Sequence, residues 1–209
     1  MTLVMPIVSV NTGQLSLLGQ SQGGKDVYSG IRKSPVLGGG LLFLGRNGLE
    51  GDQQTDHLSA NGQRIHGGPE KAVYMYPRSH YTDWVAELGT VLVPGDFGEN
   101  LTIDDALETD VCVGDRFRWG EALLEVTSPR RPCAKLNMLR GPGTSEAMMK
   151  NGRSGWYCRV VQPALVPTTG ALKLLSRRAD GPTIAEIFRQ KIRREPIVPA
   201  LREDLPDQA

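Results

Sequence analysis

This 209-residue chain has only three cysteines, an odd number, which argues against a disulfide framework and for a reducing cytosol. No block of like charge stands out. Lys and Arg number 24 against 23 Asp and Glu, for a net charge of +1, and the basic residues are scattered instead of forming the stripe that a nucleic acid needs. No apolar run reaches the length of a membrane span, so a soluble protein is expected. The opening MTLVMPIVSV is apolar but lacks a basic n-region and a small-residue cleavage site, and reads as a first strand. The absence of repeats argues against a solenoid. Also missing are a flavin or nicotinamide fingerprint and a Cys-x-x-Cys pair for an iron–sulfur cluster, so redox chemistry here would draw electrons from elsewhere.

Glycine and proline are plentiful, at 25 and 14, and they fall between short apolar runs. That pattern predicts a mainly β protein, a closed or folded-over barrel with many turns. The expected strands are IVSV, GLLFLG, KAVYMYP, VCVGDRFRW, EALLEVTS, WYCRVVQPALV and ALKLLSR. Two helices interrupt them. SHYTDWVAEL carries Trp84, Val85 and Leu88 at helical spacing and is expected to cross an open end of the barrel. In TIAEIFRQKIRRE, Thr183 and Glu186 form a capping box, and Ile184, Ile187, Phe188 and Ile192 share an apolar face. The division expected is a β-barrel domain over residues 1–178 and a short helical appendage with a loose tail over 179–209.

Context separates the cysteines. Cys112 in VCVGD and Cys158 in WYCRVV read as small buried apolar side chains. Cys133 sits in SPRRPCAKL, where Pro129 and Pro132 are expected to forbid a regular ladder and stiffen the loop. Arg130, Arg131 and Lys135 surround it with positive charge, which stabilises a thiolate able to attack electrophiles or bind a soft metal. An inert cysteine in a surface turn fits these local residues as well. In IHGGPEKAVYMYP, Gly67 and Gly68 can turn successive N–H groups toward one point beside His66 and Lys71, which makes an anion cradle or an ordinary tight turn. GDFGENLTI, with Gly95, Gly98, Glu99 and Asn100, can offer donors to a polar heterocycle, and GKDVYSGIRKSPV groups Lys25, Ser29, Arg32 and Lys33. Either segment could equally be a solvated loop.

Taken in order, HGGPEKAVYMYP, GDFGENL, VCVGDRFRWGEALLEVTSPRRPCAKL and GRSGWYCRVV resemble the MOSC family, named from the C-terminal part of molybdenum cofactor sulfurases, and especially its stand-alone bacterial YiiM-like members. The resemblance spans roughly Thr12 to Arg178. It implies a MOSC-type β-barrel with a few peripheral helices, binding a molybdenum cofactor, a mononuclear metal on molybdopterin. It also implies a cytoplasmic oxidoreductase that reduces N-hydroxylated compounds such as 6-N-hydroxylaminopurine and amidoximes, a detoxification of base analogues. Cys133 is then the expected metal ligand, with Lys25 and Ser29 mapping by motif onto the family's catalytic lysine and hydroxyl. His66, Gly67, Gly68, Lys71, Asn100, Arg32, Arg130 and Arg131 are the expected cofactor-binding residues. The electron donor is expected to be a separate reductase, a flavoprotein in class. Two other classes stay open: a non-catalytic cofactor carrier, and a cysteine hydrolase with His66 as base, since His57 and His80 read as solvated or helix-edge residues.

Overall fold

The computed structural model describes residues 2–21, 23–53, 67–178 and 180–194. Its strands are β1 (Val4–Thr12), β2 (Ser16–Gln20), β3 (Asp26–Ser29), β4 (Ser34–Pro35), β5 (Leu41–Gly45), β6 (Gly48–Leu49) and β7 (Val73–Pro77). They continue as β8 (Leu101–Ile103), β9 (Arg116–Trp119), β10 (Ala122–Pro129), β11 (Trp156–Gln162), β12 (Ala164–Pro167) and β13 (Ala171–Ser176). The helices are α1 (His80–Leu88), α2 (Ala134–Arg140), α3 (Thr144–Asn151) and α4 (Ile184–Ile187), the last running into a π turn over Phe188–Ile192.

Seven strands, in the order β13-β9-β10-β11-β7-β8-β1, close into a barrel because β1 pairs back onto β13 through Val4–Lys173 and its neighbours. Closure removes the sheet edges. Every pairing is antiparallel except β7 with β8, which run parallel in register Met75–Leu101. Alternation drives the inward set: β9 turns in Phe117 and Trp119 and leaves Arg116 and Arg118 outside, while β10 turns in Ala122, Leu124 and Val126. The strand β7 departs from alternation, with all five residues buried. Val73 and Met75 join the barrel core, whereas Tyr74 and Tyr76 belong to a second cluster outside it with Trp84, Phe97, Leu136 and Met148. Covered on both faces, such a strand reads as a continuous apolar run.

Several expectations need correction. Helix α1 packs Tyr81 and Trp84 into that outer aromatic cluster, on the flank of β7, and does not cross an open end; Val85, expected on its buried face, is 41% exposed. The run WYCRVVQPALV splits at Pro163 into β11 and β12, which lie in different sheets, because proline has no N–H to give to a ladder. In VCVGDRFRW only Arg116–Trp119 is strand; Cys112 makes an isolated bridge to Thr183, and Gly114 turns the chain with φ 90°. Helices α2 and α3 were not foreseen. At the other end, the capping box is present: Thr183 Oγ1 accepts the Glu186 N–H at 3.1 Å, and Glu186 Oε2 accepts the Thr183 N–H at 2.7 Å. Ile184 and Phe188 are fully buried, so this helix docks onto the body of the protein. The expected loose tail from residue 195 lies outside the described residues.

Candidate functional site

The cleft lies against the outer face of the barrel. Trp156 and Cys158 of β11 and Val73 and Met75 of β7 point inward, so the alternating Tyr157 and Tyr74 point out. These two tyrosines are register partners, with ring centroids 5.2 Å apart, and they form one wall. The rest comes from Ser29 at the end of β3 and Gly30, Ile31 and Lys33 after it, Gly67 ahead of β7, Gly98 ahead of β8, Arg130, Arg131 and Cys133 after β10, and Lys135 in α2. Two glycines allow the loops to close. A Cβ on Gly30 would stand 1.8 Å from the Gln53 carbonyl oxygen, and one on Gly98, whose φ is 78°, would stand 2.7 Å from Ile31 Cγ1.

Pro129 is not in a free loop. It is the last residue of β10, opposite Trp156, reached after a register shift between Val126 and Ser128. The loop proper is therefore short, and Cys133 is the N-cap of α2 with extended backbone (φ −141°, ψ 166°) and no side-chain capping bond. Among the described residues no hydrogen bond commits its thiol. Cys133 is half-buried, while Cys112 and Cys158 are buried, and burial pushes the Cys158 thiol well up.

Among the described residues the lining contains four cationic side chains, Lys33, Arg130, Arg131 and Lys135, and no carboxylate. Arg130 is held most firmly. Its Nη1 donates to the Phe97 carbonyl and, at 3.3 Å, to the Tyr74 hydroxyl, and its guanidinium lies 4.9 Å from the Tyr74 ring centroid. Burial alone would pull its pKa down, but its neighbours, the hydrogen-bonded Tyr74 hydroxyl among them, outweigh that and leave it raised, so it stays charged. Burial likewise raises the Tyr74 and Tyr157 phenols, which stay protonated. Lys33 is buried in an ion pair with Asp52; burial pulls its pKa down and Asp52 opposes that. Lys135 differs from the other three: its Nζ is buried with no hydrogen-bond partner among the described residues. Burial lowers its pKa, against the pull of Cys133. A buried ammonium left unmatched is costly unless an anion meets it.

Of the residues expected from sequence, the cleft brings together Cys133, Ser29, Gly67, Arg130 and Arg131. It does not bring Lys25, which is exposed at the turn between β2 and β3; the lysine that reaches the lining from that segment is Lys33. Arg32 is exposed. Gly68, with φ 86°, caps a 3-10 turn over Pro69–Lys71, and Lys71 Nζ stands over the Tyr157 ring, 5.9 Å from its centroid, without joining the described lining. Asn100 is fully buried, and its amide is spent on the fold: Oδ1 accepts the Tyr74 N–H at 3.1 Å, and Nδ2 donates to Asp52 Oδ2 at 2.8 Å. Glu99 is buried too, accepting from Tyr81, Gly95, Phe97 and Thr102. His66 and His57 lie outside the described residues; His80 opens α1 and meets Glu108 at 2.9 Å, away from the cleft. The tyrosine wall and Asp52 were missed. The run VYMYP held the signal for Tyr74, since a fully buried strand must present side chains on both faces. Among the described residues no group of three or more His, Cys, Asp or Glu is placed to hold a metal ion.

Residues 62–170 match the MOSC domain family. Protein YflK of Bacillus subtilis is 38% identical over 84% of this chain and 75% of its own length. The chain belongs to the MOSC family. Protein YiiM of Escherichia coli is 41% identical over 68% of this chain, and the chain spans 62% of that relative's length, less than two thirds. A protein named Reductase from Gibberella moniliformis is 36% identical over 66% of this chain but only 24% of its own length. Among solved structures, YiiM from Geobacillus stearothermophilus superposes with a TM-score of 0.69 at 31% identity, covering 89% of this chain and 83% of that one. This MOSC chain is accordingly similar to stand-alone YiiM-like proteins in sequence and in its seven-strand barrel. No helix among the described residues is long and apolar enough to cross a membrane.

Proposed function

We propose that this MOSC protein is a molybdenum-cofactor-dependent reductase of N-hydroxylated compounds, with 6-N-hydroxylaminopurine and amidoximes as its substrate class. The observation that carries the reading is the half-buried Cys133 thiol at a cleft whose described lining holds four cations and no carboxylate. The residues suit the group: a soft thiolate matches molybdenum, and the unmatched Lys135 ammonium with Arg131 matches a phosphate. The name of the Gibberella relative and the YiiM-like character support the reductase class.

In overall balance, R–NHOH takes up two electrons and two protons, the N–O bond breaks, and an amine and water leave. The bound cofactor supplies the two-electron chemistry. The chain supplies the setting. Cys133 would hold the metal, Arg130 keeps fixed positive charge at the cleft floor, and the tyrosine wall keeps water from that side. Ser29 and Lys33, both residues of the lining, would give a departing oxygen a hydrogen bond and a proton, the roles first mapped onto Ser29 and Lys25. Electrons are drawn from a separate donor, a flavoprotein reductase in class.

Turnover of 6-N-hydroxylaminopurine with a chemical electron donor tests the reading on protein from a cofactor-competent host. The wild type should reduce it, and Cys133→Ser should lose about 10²-fold or more. A variant that reduces as well as the wild type overturns the thiolate ligand. A wild type that holds molybdenum and pterin without turnover is a carrier, and overturns the reductase.

A further inference from the structure

Lys33 and Asp52 reach each other from separate loops, with side chains 3% and 1% exposed. An ion pair buried so deeply is retained only when its remaining polar atoms are engaged. Asp52 meets that condition: Oδ1 accepts the Gly13 N–H at 2.8 Å, and Oδ2 accepts the Asn100 amide at 2.8 Å as well as the Lys33 ammonium. Asn100 is fixed in turn by the Tyr74 N–H, on the strand that forms the cleft wall. The Lys33 backbone is clamped too, since a Cβ on Gly95 would stand 2.7 Å from the Lys33 carbonyl oxygen. Asp52 itself is not in the cleft lining; Lys33 is.

We propose that Asp52 is a positioning residue of the reductase site: it fixes the side chain of Lys33, a residue of the cleft lining, and ties it, through Asn100 and Gly13, to the barrel. The inference rests on the reductase reading for its purpose and on the ion pair for its geometry. Among the described residues, the charged groups facing Lys33 are Asp52, Glu99 and Arg130. Burial draws the Lys33 proton away and Arg130 adds to that, while Asp52 and Glu99 retain it. Neutralising Asp52 leaves Glu99 alone against both.

The first test uses the chain without cofactor. In ¹⁵Nζ-lysine NMR titrations, Asp52→Asn should move the Lys33 midpoint to lower pH by about one unit or more, and Asp52→Glu should restore most of it. An unchanged midpoint in Asp52→Asn overturns the proposal. So does a wild-type Lys33 signal that exchanges and reorients like those of exposed lysines, which decides the matter even if the Asn variant fails to fold. In loaded protein, Asp52→Asn should lower kcat with little change in KM and move the alkaline limb of the pH profile by the same shift. A uniform loss with an unmoved limb assigns Asp52 a merely structural role. If the wild type shows no turnover, the reductase reading falls, and the titration still reports whether Asp52 holds Lys33.

Discussion

Asn100 was expected to face the cofactor and instead faces the fold, and Asn100→Ala separates the two roles. The side chain is 0% exposed. Truncation orphans the Tyr74 N–H inside β7, at about 1–3 kcal/mol, and removes a charge-assisted bond to Asp52 of about 1.5–3 kcal/mol. The contact of Nδ2 with the Asn11 carbonyl, at 3.4 Å, adds little. The sum is about 2.5–6 kcal/mol, which for a chain of this size lowers Tm by roughly 5–24 °C. The assay is thermal and urea unfolding of the chain free of molybdenum and pterin. A residue that serves the cofactor would instead cost stability only in the loaded protein. A Tm within about 2 °C of wild type in the cofactor-free chain would refute the reasoning.

Thiol labelling of the native protein should modify Cys133 first, while Cys158, fully buried with its thiol pKa pushed up, should react only on unfolding; mass spectrometry of labelled peptides checks the order. Tyr76→Phe should cost about 1–3 kcal/mol in urea unfolding, because it leaves the Trp84 indole N–H, now 2.6 Å from the Tyr76 hydroxyl, buried without an acceptor. Burial lowers the Lys33 pKa, so the unfolded chain binds more protons than the native one between that lowered value and the ordinary lysine value. The contribution of Lys33 to stability therefore rises with pH across that window. Lys33→Met should flatten the slope of stability against pH there, and urea midpoints taken from about pH 8 to 10 would show it.

The barrel was legible because its strands obey a period of two. Phe117 and Trp119, then Ala122, Leu124 and Val126, alternate with Arg116, Arg118 and Glu125. Helix α4 was legible because its cap is written in side chains, Thr183 with Glu186. Helices α2 and α3 were not, since each runs two turns or so and neither N-cap, Cys133 or Gly143, makes a side-chain capping bond. A period of 3.6 cannot declare itself over that length. At the site, Cys133, Arg130, Arg131 and Ser29 could be read because each sits in a short segment of unusual chemistry. Distance along the chain hid the rest. No local pattern says that Asp52 pairs with Lys33, that Lys33 rather than Lys25 enters the cleft, or that Asn100 turns inward. Those outcomes follow from which face of β7 the outer loops cover.

The central claim is that the Cys133 cleft holds a molybdenum cofactor. Molybdenum and pterin content, measured on wild type and Cys133→Ser purified from the same cofactor-competent host, tests it most directly. Wild type should carry both components together, and the variant should lose both. A wild type with neither, or a variant that retains both at the wild-type level, would contradict it.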